Sequence, residues 1–157
     1  MAGKILDFLE QVGKTLESKQ VKVGFVDGSK HPDGDVSMAQ IAAWNEYGQP
    51  ENNQPPRPFF RNAISGHSEE WADSVVRGIR AGVNTETVLQ LVGEVIVGDV
   101  QNSISELMEP KLSDVTLHIR RTRKKFKNQS TKPLVDTGAM YGDVKFEVSD
   151  IEPTPDS

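Results

Sequence analysis

The sequence predicts an α+β fold: a small, mostly antiparallel sheet with amphipathic helices packed on one side, and a long projecting loop. Three observations predict it. Val21, Val23 and Phe25 alternate with Lys22 and Gly24, and Val144, Phe146 and Val148 alternate with Lys145 and Glu147, the period-two pattern of half-buried strands. Ile5, Phe8, Leu9, Val12 and Leu16 recur at helical spacing before the first of these strands. Two long segments between the strands, Phe60 to Ala81 and Thr85 to Met108, also repeat their apolar residues at helical steps. A purely helical bundle is the alternative architecture.

Taken in order, the N-terminal helix carries Lys4, Asp7, Glu10 and Lys14 off its apolar face, and that face is expected to dock on the sheet. The first strand stops at Asp27-Gly28, and Ser29 to Asp35 is a turn-forming stretch that holds His31. Ser37 is placed to cap a helix running to Tyr47, with Ile41, Trp44 and Tyr47 on one face. Gly48 ends that helix and Pro50 cannot continue it. Gln49 to Gln54 is polar, Pro55, Pro56 and Pro58 impose extended backbone, and Arg57 between prolines is expected to point its charge outward.

In the first long helix Phe60, Ile64, Trp71, Val75 and Ile79 form the expected face. In the second it is Val88, Leu91, Val92, Val95 and Ile96, continuing through Val100, Ile104 and Leu107. Gly82-Val83-Asn84 separates the two, with Asn84 or Thr85 as cap. The stretch from Lys111 to Lys132 is compatible with a short helix or an extended arm, and Val115 to Ile119 could supply a third strand. Residues 1–150 read as a single domain and 151–157, with two prolines and two acids, as a disordered tail.

The composition limits the function classes. With 36% hydrophobic residues, 157 residues make a modest core, so partners are expected to supply part of the stability. No cysteine occurs, which excludes disulfides and thiolate chemistry. No apolar run approaches a membrane span, and the acids in the first eleven residues do not suit a signal peptide, so a soluble, untargeted protein with no membrane partner is expected. The net charge of −5 is unevenly placed: Lys111 to Lys132 holds eight Lys or Arg against Asp114 alone, so that segment is +7 and the remainder −12. Charge arranged this way favours head-to-tail association of identical subunits.

The search for chemistry is largely negative, and no enzyme, cofactor or metal site is expected. Asp136-Thr137-Gly138 is the tripeptide of aspartic proteases, but a shared-proton dyad needs a second copy or a dimer that pairs two loops, so a turn-capping role is the better reading. His31 has no second ligand at metal spacing, and Glu69-Glu70 lie side by side on a helix surface. No phosphate loop, nucleophile elbow or zinc-protease motif occurs. The basic run Arg120 to Lys127 could contact phosphates. It has only Phe126 as a stacking residue, so a protein-binding arm is favoured over nucleic acid.

One combined pattern carries more. It comprises Ala42-Ala43-Trp44-Asn45-Glu46-Tyr47-Gly48, then Pro56-Arg57-Pro58-Phe59-Phe60-Arg61 opening a long helix, then Pro110 and Leu112-Ser113 with Thr116. Pro133-Leu134-Val135-Asp136-Thr137-Gly138-Ala139-Met140 completes it. In order and spacing this resembles the neck and tail-completion proteins of long-tailed bacteriophages, the group similar to minor tail protein Z of phage lambda. The resemblance spans Val21 to Val148, with a longer loop at Gln49 to Pro55 and a more basic Arg120 to Lys127 than the family pattern.

The resemblance implies a non-enzymatic virion subunit, in the host cytoplasm during assembly, acting as a homo-oligomeric ring, a hexamer by tail symmetry. It implies neighbours among head-connector, tail-terminator and tail-tube proteins, with a passing contact to DNA in the lumen. Trp44, Tyr47 and Gly48 would hold the base of the loop, Arg57, Pro58 and Phe59 would set its return, and Asp136, Thr137 and Gly138 would turn into the closing strand. The expected contact surface is Glu51, Asn52, Asn53, Gln54, Arg57 and Phe59 on the loop with Arg120, Arg121, Arg123, Lys124 and Phe126 on the basic arm. Phe59 and Phe126 are its expected buried anchors. The rival functions are a nucleic-acid-binding morphogenesis factor using Arg120 to Lys127 and a hydrolase using Asp136.

Overall fold

A computed structural model describes residues 2–25, 28–32, 34–134 and 138–152, with the side chains of 2, 11, 12 and 14–17 outside that set. The fold is α+β. Helix α1 (Ala2–Ser18) leads into strand β1 (Lys19–Phe25), followed by α2 (Met38–Tyr47) and a single 3-10 turn at Pro50–Asn52. The long helices α3 (Phe59–Arg80) and α4 (Thr85–Glu106) come next, then α5 (Asp114–Thr122), the one-turn α6 (Ala139–Gly142) and strand β2 (Val144–Asp150). β1 and β2 pair antiparallel as a two-stranded sheet. The third strand expected from Val115 to Ile119 does not form, because that stretch is the body of α5. The described chain groups into two compact units, Met1–Val23, Glu69–Ile96 and Phe146–Ser157 in one, and Gly24–Ser68 and Val97–Lys145 in the other.

The first unit closes its sheet end through backbone and charge together. Ile151 N–H donates to the Ser18 carbonyl at 2.9 Å and the Gln20 amide to the Asp150 carbonyl at 3.1 Å. Lys19 and Lys22 reach Asp150 and Glu152 at 2.8 and 2.7 Å. The Asp150 hydrogen bond and charge hold the Lys19 ammonium above its usual range. Asn84 caps α4, its side-chain oxygen accepting from the N–H of Glu86 at 3.0 Å. The helix then buries Val88, Leu89 and Val92. Two glycines set packing distances here: a Cβ on Gly78 would lie 2.8 Å from Val88, and one on Gly93 would lie 2.4 Å from the Phe146 ring.

Two expected faces are corrected in this unit. Leu91 and Val95 are exposed, because the buried stripe of α4 runs through Val88, Leu89 and Val92, about one residue round from the stripe read in the sequence. In α1, Ile5, Phe8 and Leu9 stand 60%, 48% and 56% exposed instead of docking on the sheet. A two-stranded sheet is only about one helix wide. Its Phe146 is already occupied by the bare backbone of Gly93.

The second unit is built on Phe59, Met38, Val100 and Ile104, all at most 1% exposed, with Ala42, Ala63, Leu134, Met140 and Val144 around them. Phe25 meets Phe59 edge to face with centroids 6.1 Å apart, and the Ser103 hydroxyl donates to the Phe59 carbonyl at 2.6 Å. The apolar stripe at the start of α3 therefore runs through Phe59 and Ala63, with Ile64 43% exposed, a one-residue rotation from the expected face. Ser37 caps α2 as its position predicts, accepting from Gln40 N–H at 3.1 Å. α2 buries Met38, Ala42 and Glu46, while Tyr47, expected to anchor the loop, is 70% exposed beneath Arg61, whose guanidinium lies 5.2 Å from its ring centre. Asp136, Thr137 and residues 153–157 lie outside the described set.

Two helical glycines give opposite expectations. Gly93→Ala forces a methyl into Phe146 and is expected to lower unfolding stability by about 1–3 kcal/mol. Gly98→Ala meets nothing within 4 Å and is expected to raise it by about 0.5–1 kcal/mol. Urea unfolding followed by circular dichroism checks both signs.

Candidate functional site: the proline loop and the cavity beside it

The loop between α2 and α3 closes on itself. Gly48 has φ +80°, and a Cβ there would lie 2.8 Å from the Pro56 nitrogen and 2.9 Å from the Gln54 carbonyl oxygen, so both conformation and space require glycine. Gln49 and Gln54 exchange backbone hydrogen bonds at 2.8 and 3.1 Å, and the 3-10 turn between them ends at Asn53 in the left-handed region. The Gln54 side chain ties this small ring to Trp44 O and Asn45 Oδ1. The tip, Glu51, Asn52 and Asn53, is exposed.

The return of the loop is fixed by a buried carboxylate. Glu46, 6% exposed, accepts from the backbone N–H groups of Phe60 and Arg61 at 2.9 and 3.2 Å and from Arg61 Nε at 2.7 Å. Phe59 N–H donates to the Arg57 carbonyl and Asn62 N–H to Pro58, so the first four donors of α3 are all satisfied. The negative charge also sits where the helix dipole favours it. Glu46 belongs to the motif that carries the resemblance, which assigns it no role. The one signal that could have found it is its position in line with Met38 and Ala42 on the buried side of α2.

Arg57 does not point outward. It is 5% exposed, and its Nε and Nη2 donate to the carbonyls of Pro110 and Lys111 at 2.9 and 3.3 Å, while its own N–H donates to Asn45 O at 2.6 Å. Flanking prolines leave its side chain free to act as a staple for an irregular segment 53 residues away. Burial first, and then the nearby Arg120 charge, push its guanidinium below its usual range.

Arg120 is likewise inside, 6% exposed, with Nη1 and Nη2 donating to the carbonyls of Lys132 and Pro133 at 3.0 and 2.8 Å. Phe59 is 1% exposed. Arg57, Phe59 and Arg120 are therefore internal, and the partner contact expected of them is corrected on that ground. Gln54 is also committed to the loop base.

The rest of the basic arm is at the surface. α5 is capped by Ser113, which accepts from Thr116 N–H at 3.2 Å, and after it Arg121, Lys124, Lys125 and Lys127 are exposed. Arg123 folds back onto the Phe126 carbonyl, holding Phe126 at φ +52° with its ring 46% exposed, so it is not a buried anchor within the chain. Gly138, at φ +79°, caps α6 and is the described part of the expected turn into the closing strand.

Around one cavity of about 530 Å³ the structure brings Asn52, Asn53, Gln54 and Arg57 of the predicted loop group beside Arg120, while Arg121, Arg123, Lys124 and Phe126 of the basic arm do not line it. Asn52, Asn53, Gln54, Pro55 and Arg57 form one side with Asn45, and Lys111, Leu112, Ser113, Thr116, Arg120 and Pro133 form the other. Among the described residues no cluster of three or more His, Asp or Glu could hold a metal, and no described helix is long and apolar enough to cross a membrane.

Removing the Glu46 carboxylate tests the loop closure. Glu46→Ala leaves two backbone donors of α3 and Arg61 Nε without their acceptor and is expected to cost about 2–3 kcal/mol in urea unfolding. Glu46→Gln keeps one oxygen acceptor and is expected to lose about half of that. Comparison with family models, with curated proteins and with solved structures finds no match to this chain, so its functional reading rests on its own residues.

Proposed function

We propose that this chain is a structural virion protein, a neck or tail-completion subunit that assembles as a ring between head connector and tail. The observation that supports it best is the use made of the residues that carry the phage resemblance. Gly48, Arg57 and Phe59 are spent on holding one closed loop, while its tip at Glu51 to Asn53 and the cations Arg121, Lys124, Lys125 and Lys127 stand in solvent. Exposed loops on a rigid base suit contact with a large neighbour. An acidic remainder beside a basic arm suits a repeated head-to-tail contact, which closes into a ring when its rotation is fixed. The exposed apolar residues of α1 offer further surface for such a contact.

A second reading, a nucleic-acid-binding morphogenesis factor, is favoured by the same four exposed cations. It requires DNA affinity that falls steeply with salt, since each phosphate neutralised releases counterions.

The two readings separate in one experiment. Reversing Arg121, Lys124, Lys125 and Lys127 to Glu leaves the internal staples in place, so the monomer is expected to keep its circular dichroism and melting behaviour. Incorporation into particles, scored by complementation and electron microscopy, is expected to fall at least tenfold. Arg120→Glu, by contrast, puts a carboxylate against the Lys132 and Pro133 carbonyls and is expected to destabilise the fold by about 3 kcal/mol or more. Normal incorporation of the reversed protein overturns the ring reading, and a steep salt-dependent DNA affinity lost on reversal moves the assignment to the second.

A further inference from the structure

A smaller cavity in the second unit, of about 280 Å³, is lined by α2, the start of α3 and Phe25. Ala42 and Phe59 are buried at its base, and Ala39, Ala43, Phe60 and Ile64 give it apolar sides. Ile64 and Tyr47 are exposed, so apolar surface continues to its mouth. A positive charge is fixed there as well. Arg61 Nε donates to the Glu46 carboxylate at 2.7 Å, Nη2 donates to the Glu46 carbonyl at 2.8 Å, and the guanidinium lies 5.2 Å from the Tyr47 ring centre. Glu46 is buried while the Arg61 side chain is 56% exposed, so solvent meets the cation of this pair.

Helix α1 presents the converse surface. Ile5 and Leu9, one turn apart, form the centre of an apolar strip, with Phe8 on one side of them and Leu6 on the other. All four are exposed in the single chain. Glu10 follows Leu6 by one turn and Lys4 precedes Phe8 by one turn, so the strip has an acidic edge and a basic edge.

We propose that the α1 strip of one copy docks on this cavity of a second copy, with Ile5 and Leu9 entering it and Glu10 lying beside Arg61. Two properties of the cavity select this occupant. It is apolar with a cation at its mouth, and the strip is apolar with an acid at its edge. Its volume admits about two large side chains rather than a helix backbone, which fits a helix laid across it with anchors at i and i+4. A patch that fits a pocket elsewhere on the same molecule makes a head-to-tail contact, in which each copy gives its helix to one neighbour and its cavity to another. Such a contact would serve a ring, but it does not rest on the virion reading: self-association is measured on the purified chain, and incorporation into particles tests the other.

The test is sedimentation equilibrium of the full chain at concentrations up to about 1 mM, where the parent is expected to associate. Leu9→Glu spoils the strip and Ile64→Glu spoils the cavity, and each is expected to weaken association about tenfold or more. Both side chains are exposed in the single chain, so circular dichroism and melting are expected to stay at parental values. Tyr47→Ala, at the more exposed rim position, is a second cavity variant should Ile64→Glu disturb α3. Glu10→Lys is expected to weaken association about threefold. The decisive arm is an equimolar mixture of the Leu9→Glu and Ile64→Glu proteins. The first keeps an intact cavity and the second an intact strip, so the mixture is expected to form heterodimers at parental affinity that grow no further. A parent that stays monomeric overturns the proposal and leaves the cavity to another partner. A mixture that stays monomeric overturns it too, since strip pairing with strip is not rescued by mixing. So does a Leu9→Glu protein that associates as tightly as the parent.

Discussion

The Glu46 carboxylate is the interaction on which the second unit depends. It is buried at the end of α2 and accepts from the first turn of α3, so a single charged group ties two consecutive helices together across the connection 48–58. Its environment satisfies the conditions that make a buried carboxylate tolerable: two backbone donors, a guanidinium nitrogen at 2.7 Å and the positive end of a helix dipole. Phe59 follows from it. With the helix start pinned, that ring meets Phe25 edge to face, and the Ser103 hydroxyl donates to the Phe59 backbone carbonyl.

Arginine serves the irregular parts of the chain in the same way that Glu46 serves the helix. Segments 107–113 and 123–134 have little regular structure, and buried carbonyls without a ladder partner need donors from elsewhere. Arg57 supplies them to Pro110 and Lys111, Arg120 to Lys132 and Pro133, and Arg123 to Phe126. Each fork gives two donors in fixed geometry, which a lysine cannot do. The cost is the burial of a charge and, second to it, the like charge of Arg120, which together push the Arg57 guanidinium below its usual range.

This explains which features the sequence made legible. Both strands, the caps Ser37 and Asn84 and the limits of α3 and α4 within two residues are local properties, set by periodicity and by short-range donors and acceptors. The site was legible as two separate groups, a loop and a basic arm. Their meeting was not, because the Arg57 staple spans 53 residues and nothing in either segment encodes the other. Helix faces were misread by one residue where a tertiary feature chose between two apolar stripes, as Phe59 over Phe60 and Leu89 over Leu91. In α5, Val115, Leu117 and Ile119 alternate like a strand, yet the Ser113 cap and the Arg120 anchor favour a helix that leaves Val115 69% and Ile119 54% exposed.

The division of labour among cations bears on how any partner would be held. The +7 segment overstates what the surface offers, since Arg120 is committed to carbonyls inside the fold and Arg123 to the Phe126 carbonyl at the surface. What faces outward is Arg121 with the lysines 111, 124, 125, 127 and 132, mostly flexible and strongly hydrated groups. Contacts made by such groups are screened by salt and set register and encounter rate more than affinity. Affinity therefore has to come from apolar surface, which the described chain exposes at Phe126, held out at positive φ, and on the Ile5, Leu6, Phe8, Leu9 side of α1 among other places. A partner contact that used only the basic arm would be weak and salt-sensitive. One that covered α1 would instead bury Ile5, Leu6, Phe8 and Leu9, each about half or more exposed.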